Sequence, residues 1–336
     1  MKRTLITASI MGALVACITP PPPAASDTPV ERHGLITTEG NRIVDENGTP
    51  VSLAGPSFFW STTGWGQEKY YNAEAVDNFA SNWNASLVRA AIAADTREGS
   101  YLTDPEGNLQ RAYTVIDAAI ENGIYVIVDW HSHRAENNPE AAMEFFTDIA
   151  QRYGDTDNLI YEIYNEPLDT TDWSTTVKPY AETVIGAIRE VDPDNLIIVG
   201  TQSWSQDVDK AASNPLTGFN NIAYTLHFYA ASHKDELRQK ARTALDAGLA
   251  LFVTEWGAVS YDGDGAVDEE SVRAWMDFIR ANDLSHANWA VSDKDEGASL
   301  FKPGTSPTGP WSPEDLTPSG KLFREILRGW QTTQPE

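Results

Sequence analysis

Short apolar runs recur along this chain, and between them lie segments whose apolar positions fall three and four residues apart. Eight runs read as strands: Val51–Gly55, Ser86–Ala91, Ile124–Trp130, Asn158–Tyr164, Leu196–Gly200, Ile222–Phe228, Leu249–Glu255 and Ser285–Val291. In the intervening segments, Val177, Tyr180, Ala181, Val184, Ile185 and Ile188 define one buried stripe. Leu237, Ala241, Ala244 and Leu245 define another, with Gly248 as a helix stop. Strands alternating with helices in this way predict an α/β fold, a parallel sheet closed into a (β/α)8 TIM barrel. A doubly wound open sheet is the alternative, but it usually carries a glycine-rich phosphate turn after its first strand, and Gly55-Pro56-Ser57-Phe58-Phe59 is not one. A short hairpin precedes the barrel, with Arg42–Asp45 and Thr49–Val51 flanking Glu46-Asn47-Gly48.

Composition narrows the partners. With 24 basic against 49 acidic residues and a net charge of −25, the chain lacks the cationic surface that nucleic acid or anionic lipid would need. A neutral polymer remains compatible. The single cysteine, Cys17, excludes an intrachain disulfide. Met1-Lys2-Arg3 followed by apolar Leu5–Ala16 reads as a signal peptide, and Leu14-Val15-Ala16-Cys17 looks like a bacterial lipobox whose cysteine is lipidated. The expected product is an outer-membrane or cell-surface lipoprotein, otherwise a secreted protein, touching membrane only through a lipid anchor. The expected division is 1–16 signal, 17–32 lipidated cysteine and proline-rich linker, 33–331 catalytic domain and 332–336 tail, in a monomer.

In such barrels chemistry sits at the C-terminal ends of the strands. The residues expected there are Arg89, Trp130 with His131, Asn165 with Glu166, Trp204, His227 with Tyr229, Glu255 and Trp289. Glu166 and Glu255 each end an apolar run, where a carboxylate does little for a core but can serve chemistry. Paired carboxyl groups across a sugar ring cleave glycosidic bonds, one as proton donor and one as nucleophile. Arg89 and Tyr229 are expected to keep Glu255 ionised, while Glu166 must hold a proton near neutral pH. His131-Ser132-His133 resembles half a metal site but lacks nearby partners, and no metal or organic cofactor is expected. The acidic stretch 262–270 has calcium-like composition without the spacing of a calcium loop.

Ile163-Tyr164-Asn165-Glu166-Pro167 and Val253-Thr254-Glu255-Trp256-Gly257 resemble the acid/base and nucleophile signatures of glycoside hydrolase family 5, and the resemblance is close to its bacterial cellulases. Further similar segments are Val88–Ala91, Val128–His131, Ile198–Thr201 with Trp204–Asp207, His227–Ala230 and Ala287–Trp289, so the resemblance runs from about Gly34 to Trp330. It implies an endo-β-1,4-glucanase acting on a β-glucan by double displacement, with Glu166 as acid/base and Glu255 as nucleophile. It further implies that Asn165 binds the sugar 2-hydroxyl, that Arg89, His227 and Tyr229 orient the nucleophile, and that His131 lines the cleft. Trp289 would be the platform under the cleaved sugar and Trp204 one on the leaving-group side, with Lys294 and Glu296 contacting the non-reducing end. Two segments depart from the family pattern. Phe58-Phe59-Trp60 stands where a His and then a Trp are common, and Ile92-Ala93-Ala94 where a Tyr is common. Trp60 or Trp65 would then supply the missing stacking face. A mannanase, xylanase or mixed-linkage glucanase would share the catalytic pair, and a non-catalytic polysaccharide-binding lipoprotein would be expected to lack one of the two glutamates.

Overall fold

The computed structural model describes residues 27–332. Strands β1 (Thr37–Glu39) and β2 (Arg42–Val44) pair antiparallel. Eight further strands follow: β3 (Ala54–Phe58), β4 (Leu87–Ala93), β5 (Tyr125–His131), β6 (Leu159–Glu162), β7 (Ile197–Val199), β8 (Ile222–Tyr229), β9 (Leu251–Gly257) and β10 (His286–Val291). They close in the order β10-β3-β4-β5-β6-β7-β8-β9, every neighbouring pair parallel. A helix follows each strand, at Ala73–Trp83, Pro105–Glu121, Pro139–Tyr153, Lys178–Arg189, Val208–Ser213, Asp235–Asp246, Glu269–Ala281 and Pro318–Arg328. Local chemistry starts several of them. Asn72, Asp104, Asp268 and Thr317 accept a backbone N–H of the first turn, and proline opens the helices at 105, 139 and 318. This is the (β/α)8 TIM barrel.

Side chains alternate along each strand, and the alternation sorts the protein into layers. Outward residues such as Val88, Ala90, Val126, Val128 and Trp130 pack under the helices. Inward, a dry floor is built from Leu53, Leu87, Tyr125, Ile127, Ile160, Ile198 and Phe252. The hairpin closes that floor from below by inserting Ile36 and Ile43 into the same cluster, and Tyr125 Oη donates to the Gly34 carbonyl at 2.7 Å. Above the floor the alternation brings in Arg89, Asp129 and Glu162, all fully buried. The two ends of the described chain meet beneath the floor: His33 Nε2 lies 2.8 Å from Thr332 Oγ1, and Ser52 N donates to the Thr332 carbonyl at 2.8 Å.

Four details differ from the sequence reading. The hairpin turns at Gly40-Asn41, one turn earlier than expected, and the Asn47-Gly48 turn supports only a single bridge between Val44 and Pro50. There Asp45 Oδ1 accepts from both Asn47 N and Thr49 N at 2.9 Å, and Pro50 has no N–H with which to extend a ladder. The first barrel strand runs 54–58 rather than 51–55, because Val51 still donates to Ile43 of the hairpin. Trp130 points away from the rim, packed on Tyr101 and Phe145. Finally, residues 29–32, expected in the linker, begin a capped helix (Pro29–His33) that rests on the floor through Val30 N to the Gly123 carbonyl. The signal segment 1–16, Cys17 and most of the linker lie outside the described residues.

Candidate active site

Fully buried Arg89, on β4, organises the centre of the barrel mouth. Its Nε donates to Glu162 Oε2 at 2.7 Å, Nη1 reaches Ser57 Oγ at 3.1 Å and Glu255 Oε2 at 3.2 Å, and Nη2 reaches Asn165 Oδ1 at 2.7 Å and Asp129 Oδ2 at 2.9 Å. A guanidinium is the one side chain that can serve so many acceptors in a single plane. By taking Asn165 Oδ1, Arg89 leaves the amide N–H groups of Asn165 as donors for something else.

Glu255 leaves β9 with Oε1 accepting from Tyr229 Oη at 2.8 Å and Oε2 facing Arg89. Glu166 follows β6 on a short loop, its backbone N–H donating to the Ser132 carbonyl at 3.2 Å. His227 Nδ1 lies 2.9 Å from Glu166 Oε1, and His133 Nε2 lies 3.2 Å from Oε2. A carboxylate oxygen of Glu166, one of Glu255 and a ring nitrogen of His227 all lie within 4.8 Å of one another. On distance alone a Glu-His-Glu set could hold a cation. The cationic partners are already present, since His227 hydrogen bonds through both ring nitrogens and Arg89 covers Glu255.

Two imidazoles set the charge on Glu166, and Arg89 and Tyr229 favour the ionised form of Glu255. Burial pushes the Glu166 carboxyl up, but contacts with the His133 and His227 imidazoles outweigh it and hold the group down at about 2. Burial also opposes charge on His227, yet hydrogen bonding to Glu162 and Glu166 raises it to about 9. Glu255 is pushed above the ordinary carboxylate value by burial and by the charge of Glu166, against the pull of His227, Arg89 and Tyr229. Near neutral pH these shifts favour a proton on His227 over one on Glu166. His227 in turn donates through Nε2 to Thr254 Oγ1 at 2.8 Å, and Thr254 donates to Glu162 Oε1 at 2.6 Å. That closes a network back to Arg89.

Aromatic side chains line the mouth. Trp289 lies parallel to His131, ring centroids 5.2 Å apart, and His131 is oriented by Asp129 Oδ2 at 2.6 Å from its Nδ1. Phe59 and Trp60 pack in one cluster with Ala91 and Ala93, whereas Ile92 and Ala94 belong to the core beneath the helices. Trp60 is only 8% exposed and meets the His131 and His133 rings edge-on, whereas Trp65 is 38% exposed, with Arg97 and Lys294 over its ring. Lys294 also pairs with Glu296 at 2.6 Å. Trp204, 40% exposed, stands in the loop after β7, opposite the β3 loop of Trp65 in the closed strand order. Its backbone and those of Ser203 and Ser205 are left-handed. The Pro167 carbonyl holds Trp204 N at 2.7 Å, and the Asn165 carbonyl holds Ser205 Oγ at 2.7 Å.

The structure thus gathers Arg89, His131, Asn165, Glu166, His227, Tyr229, Glu255 and Trp289 at one centre, with Lys294 and Glu296 toward Trp65 and with Trp204 across the mouth. Asp129, Glu162, Thr254 and His133 were missed as site residues. Their available signal was a charge standing inside an apolar run (Asp129, Glu162). In the 262–270 stretch, Asp264 Oδ1 accepts from Gly265 N and Gly297 N, and Asp268 caps a helix and pairs with Lys234.

A family model described as cellulase (glycosyl hydrolase family 5) matches residues 44–295. Endoglucanase Z of Dickeya dadantii is 47% identical over 98% of this chain and 73% of its own length. An endoglucanase of Clostridium saccharobutylicum is 40% identical over 89% of this chain and 66% of its own. Among solved structures, the catalytic domain of a Thermobifida fusca endoglucanase in complex with cellotetraose superposes with a TM-score of 0.84 at 36% identity, covering 90% of this chain and all of that one (100%).

Proposed function

The chain belongs to the cellulase family, glycosyl hydrolase family 5, and from that membership we propose that it is a retaining endo-β-1,4-glucanase acting on cellulose or related β-glucans. The observation that carries the mechanism is the approach of Glu166 and Glu255 within 4.8 Å. Retaining enzymes hold their carboxyl groups about 5–5.5 Å apart, whereas inverting enzymes need about 6.5–9.5 Å to admit a water.

In this reading Glu255 attacks the anomeric carbon, and the C–O bond to the leaving sugar breaks as Glu166 protonates its oxygen. Water, deprotonated by Glu166, then releases the glycosyl group from Glu255. Arg89 and Tyr229 fix the attacking carboxylate, and Asn165 donates to the sugar 2-hydroxyl as charge develops. Sugar entry displaces water around Glu166 and favours its neutral form, drawing onto it the proton held beside it. Trp289 carries the sugar ring at the cleavage point, Trp204 a leaving-group sugar, and Trp65 a distal one. Trp60 acts beneath as a brace, with Lys294 and Glu296 as polar contacts at that end.

The test is release of reducing ends from a soluble cellulose derivative, with NMR of the first-formed anomer. Wild type should give the β-anomer, and Glu255→Ala should lose at least about 10⁴-fold in kcat. Full activity in that variant, or an α-product, would refute the mechanism. A panel of glucomannan, xylan and mixed-linkage glucan decides the polymer. We further propose export with lipidation at Cys17, which membrane partitioning lost in Cys17→Ser would support.

A further inference from the structure

We propose that His133 is a positioning residue for the proton donor, a role resting on the reading of Glu166 as acid/base. The Glu166 carboxylate is held between two imidazoles, one for each oxygen: His227 Nδ1 at 2.9 Å from Oε1 and His133 Nε2 at 3.2 Å from Oε2. The two histidines are not equivalent. His227 is buried and tied through Thr254 to Glu162, so it is fixed from both ends. His133 stands in the loop after β5 with a side chain 38% exposed, backed by the edge of Trp60 at 5.5 Å between ring centroids. It therefore contacts the donor carboxyl from the solvent side.

The same loop holds Glu166 through its backbone, by Glu166 N donating to the Ser132 carbonyl. The groups bearing on this carboxyl are His227 from β8, His133 from the β5 loop and, through charge, Glu255 from β9, Asp129 from β5, Tyr229 from β8 and His233 just after β8. Of these, His133 alone touches Oε2. The 3.2 Å contact with His133 keeps that oxygen in place. When a leaving sugar occupies the mouth, Glu166 Oε1 takes the proton of His227 Nδ1 and passes it to the glycosidic oxygen, while His133 holds Oε2 and with it the plane of the carboxyl. No bond to His133 forms or breaks in the reaction, so its effect appears only where protonation of the leaving group limits the rate.

That restriction supplies the test. Compare kcat/KM on cellopentaose, whose leaving group needs a proton, with that on 2,4-dinitrophenyl β-cellobioside, whose leaving group does not. His133→Ala should lower the first by about 10–10²-fold, the scale of a misplaced catalytic group, and the second far less. It should also shift the pH profile on cellopentaose. His133→Gln, which keeps a donor at similar reach, should recover part of the loss. Equal losses on both substrates, or none on cellopentaose, would overturn the proposal. Glu166→Ala is run alongside. If it shows no such dependence on the leaving group, the acid/base assignment itself fails. If it does and His133→Ala does not, only the role of His133 is refuted.

Discussion

At the scale of single residues, the unexpected feature is where the proton rests. His227 binds its proton more tightly in the folded protein, at about 9, than at its ordinary value of 6.5. Its stabilising contribution is therefore complete below about pH 6.5 and disappears as pH rises through about 9. Glu166 works in the opposite sense: depressed from 4.5 to about 2, it stabilises above its ordinary value and loses that contribution as pH falls toward about 2. We expect the alkaline limb of activity near pH 9, where the pair loses its last proton. We also expect that His227→Asn moves this limb and flattens the fall in urea midpoint between pH 6.5 and 9. An unchanged profile in the variant would place the proton elsewhere. The two glutamates were legible in the sequence because each follows an apolar run. Asp129 and Glu162 carried a similar mark, yet their work of gripping Arg89 emerges only once strand alternation turns all three inward. The protonation order could not be read at all, since it depends on two histidines, one on β8 and one in the loop after β5, converging on one carboxylate.

At the scale of elements, seven of the barrel strands stand close to the apolar runs that announced them, and the first is displaced by three residues. The cause is local: the chain entering the barrel is still hydrogen-bonded to the hairpin through Val51, so the parallel ladder starts later. Two helices, Lys178–Arg189 and Asp235–Asp246, were legible from their stripes because each buries one face on the sheet. The loops were less so, and they hold much of the substrate-facing surface. Gly200 shows how tightly one is joined to the site. A Cβ there would meet the Tyr164 carbonyl at 2.1 Å and Pro167 Cδ at 3.0 Å, directly beside Asn165 and Glu166. Gly200→Ala must therefore push the strand-end segment carrying the proton donor. We expect kcat to fall by about 10²-fold, as for a displacement near 1 Å, with a smaller change in KM. A kinetically silent variant would show that this segment can move without cost to the chemistry.

At the scale of the whole molecule, the cleft opens on one face of the barrel and both ends of the described chain lie on the other, beneath the hairpin. Capture on a support through a tag at the carboxyl end should leave the ratio of activity on polymer to that on cellopentaose unchanged. Capture through Tyr261→Cys in a Cys17→Ser background should lower it, because Tyr261 is 72% exposed in the loop after β9, at the mouth. Equal ratios for both attachments would mean that the orientation of the mouth does not govern polymer access. The meeting of His33 with Thr332 under the floor has another consequence. It makes the barrel a nearly closed ring in covalent terms, with its one gap bridged by a hydrogen bond. A short peptide joining the two ends, with the chain reopened at an exposed helix-to-strand turn, should give a circular permutant that keeps the same catalytic centre.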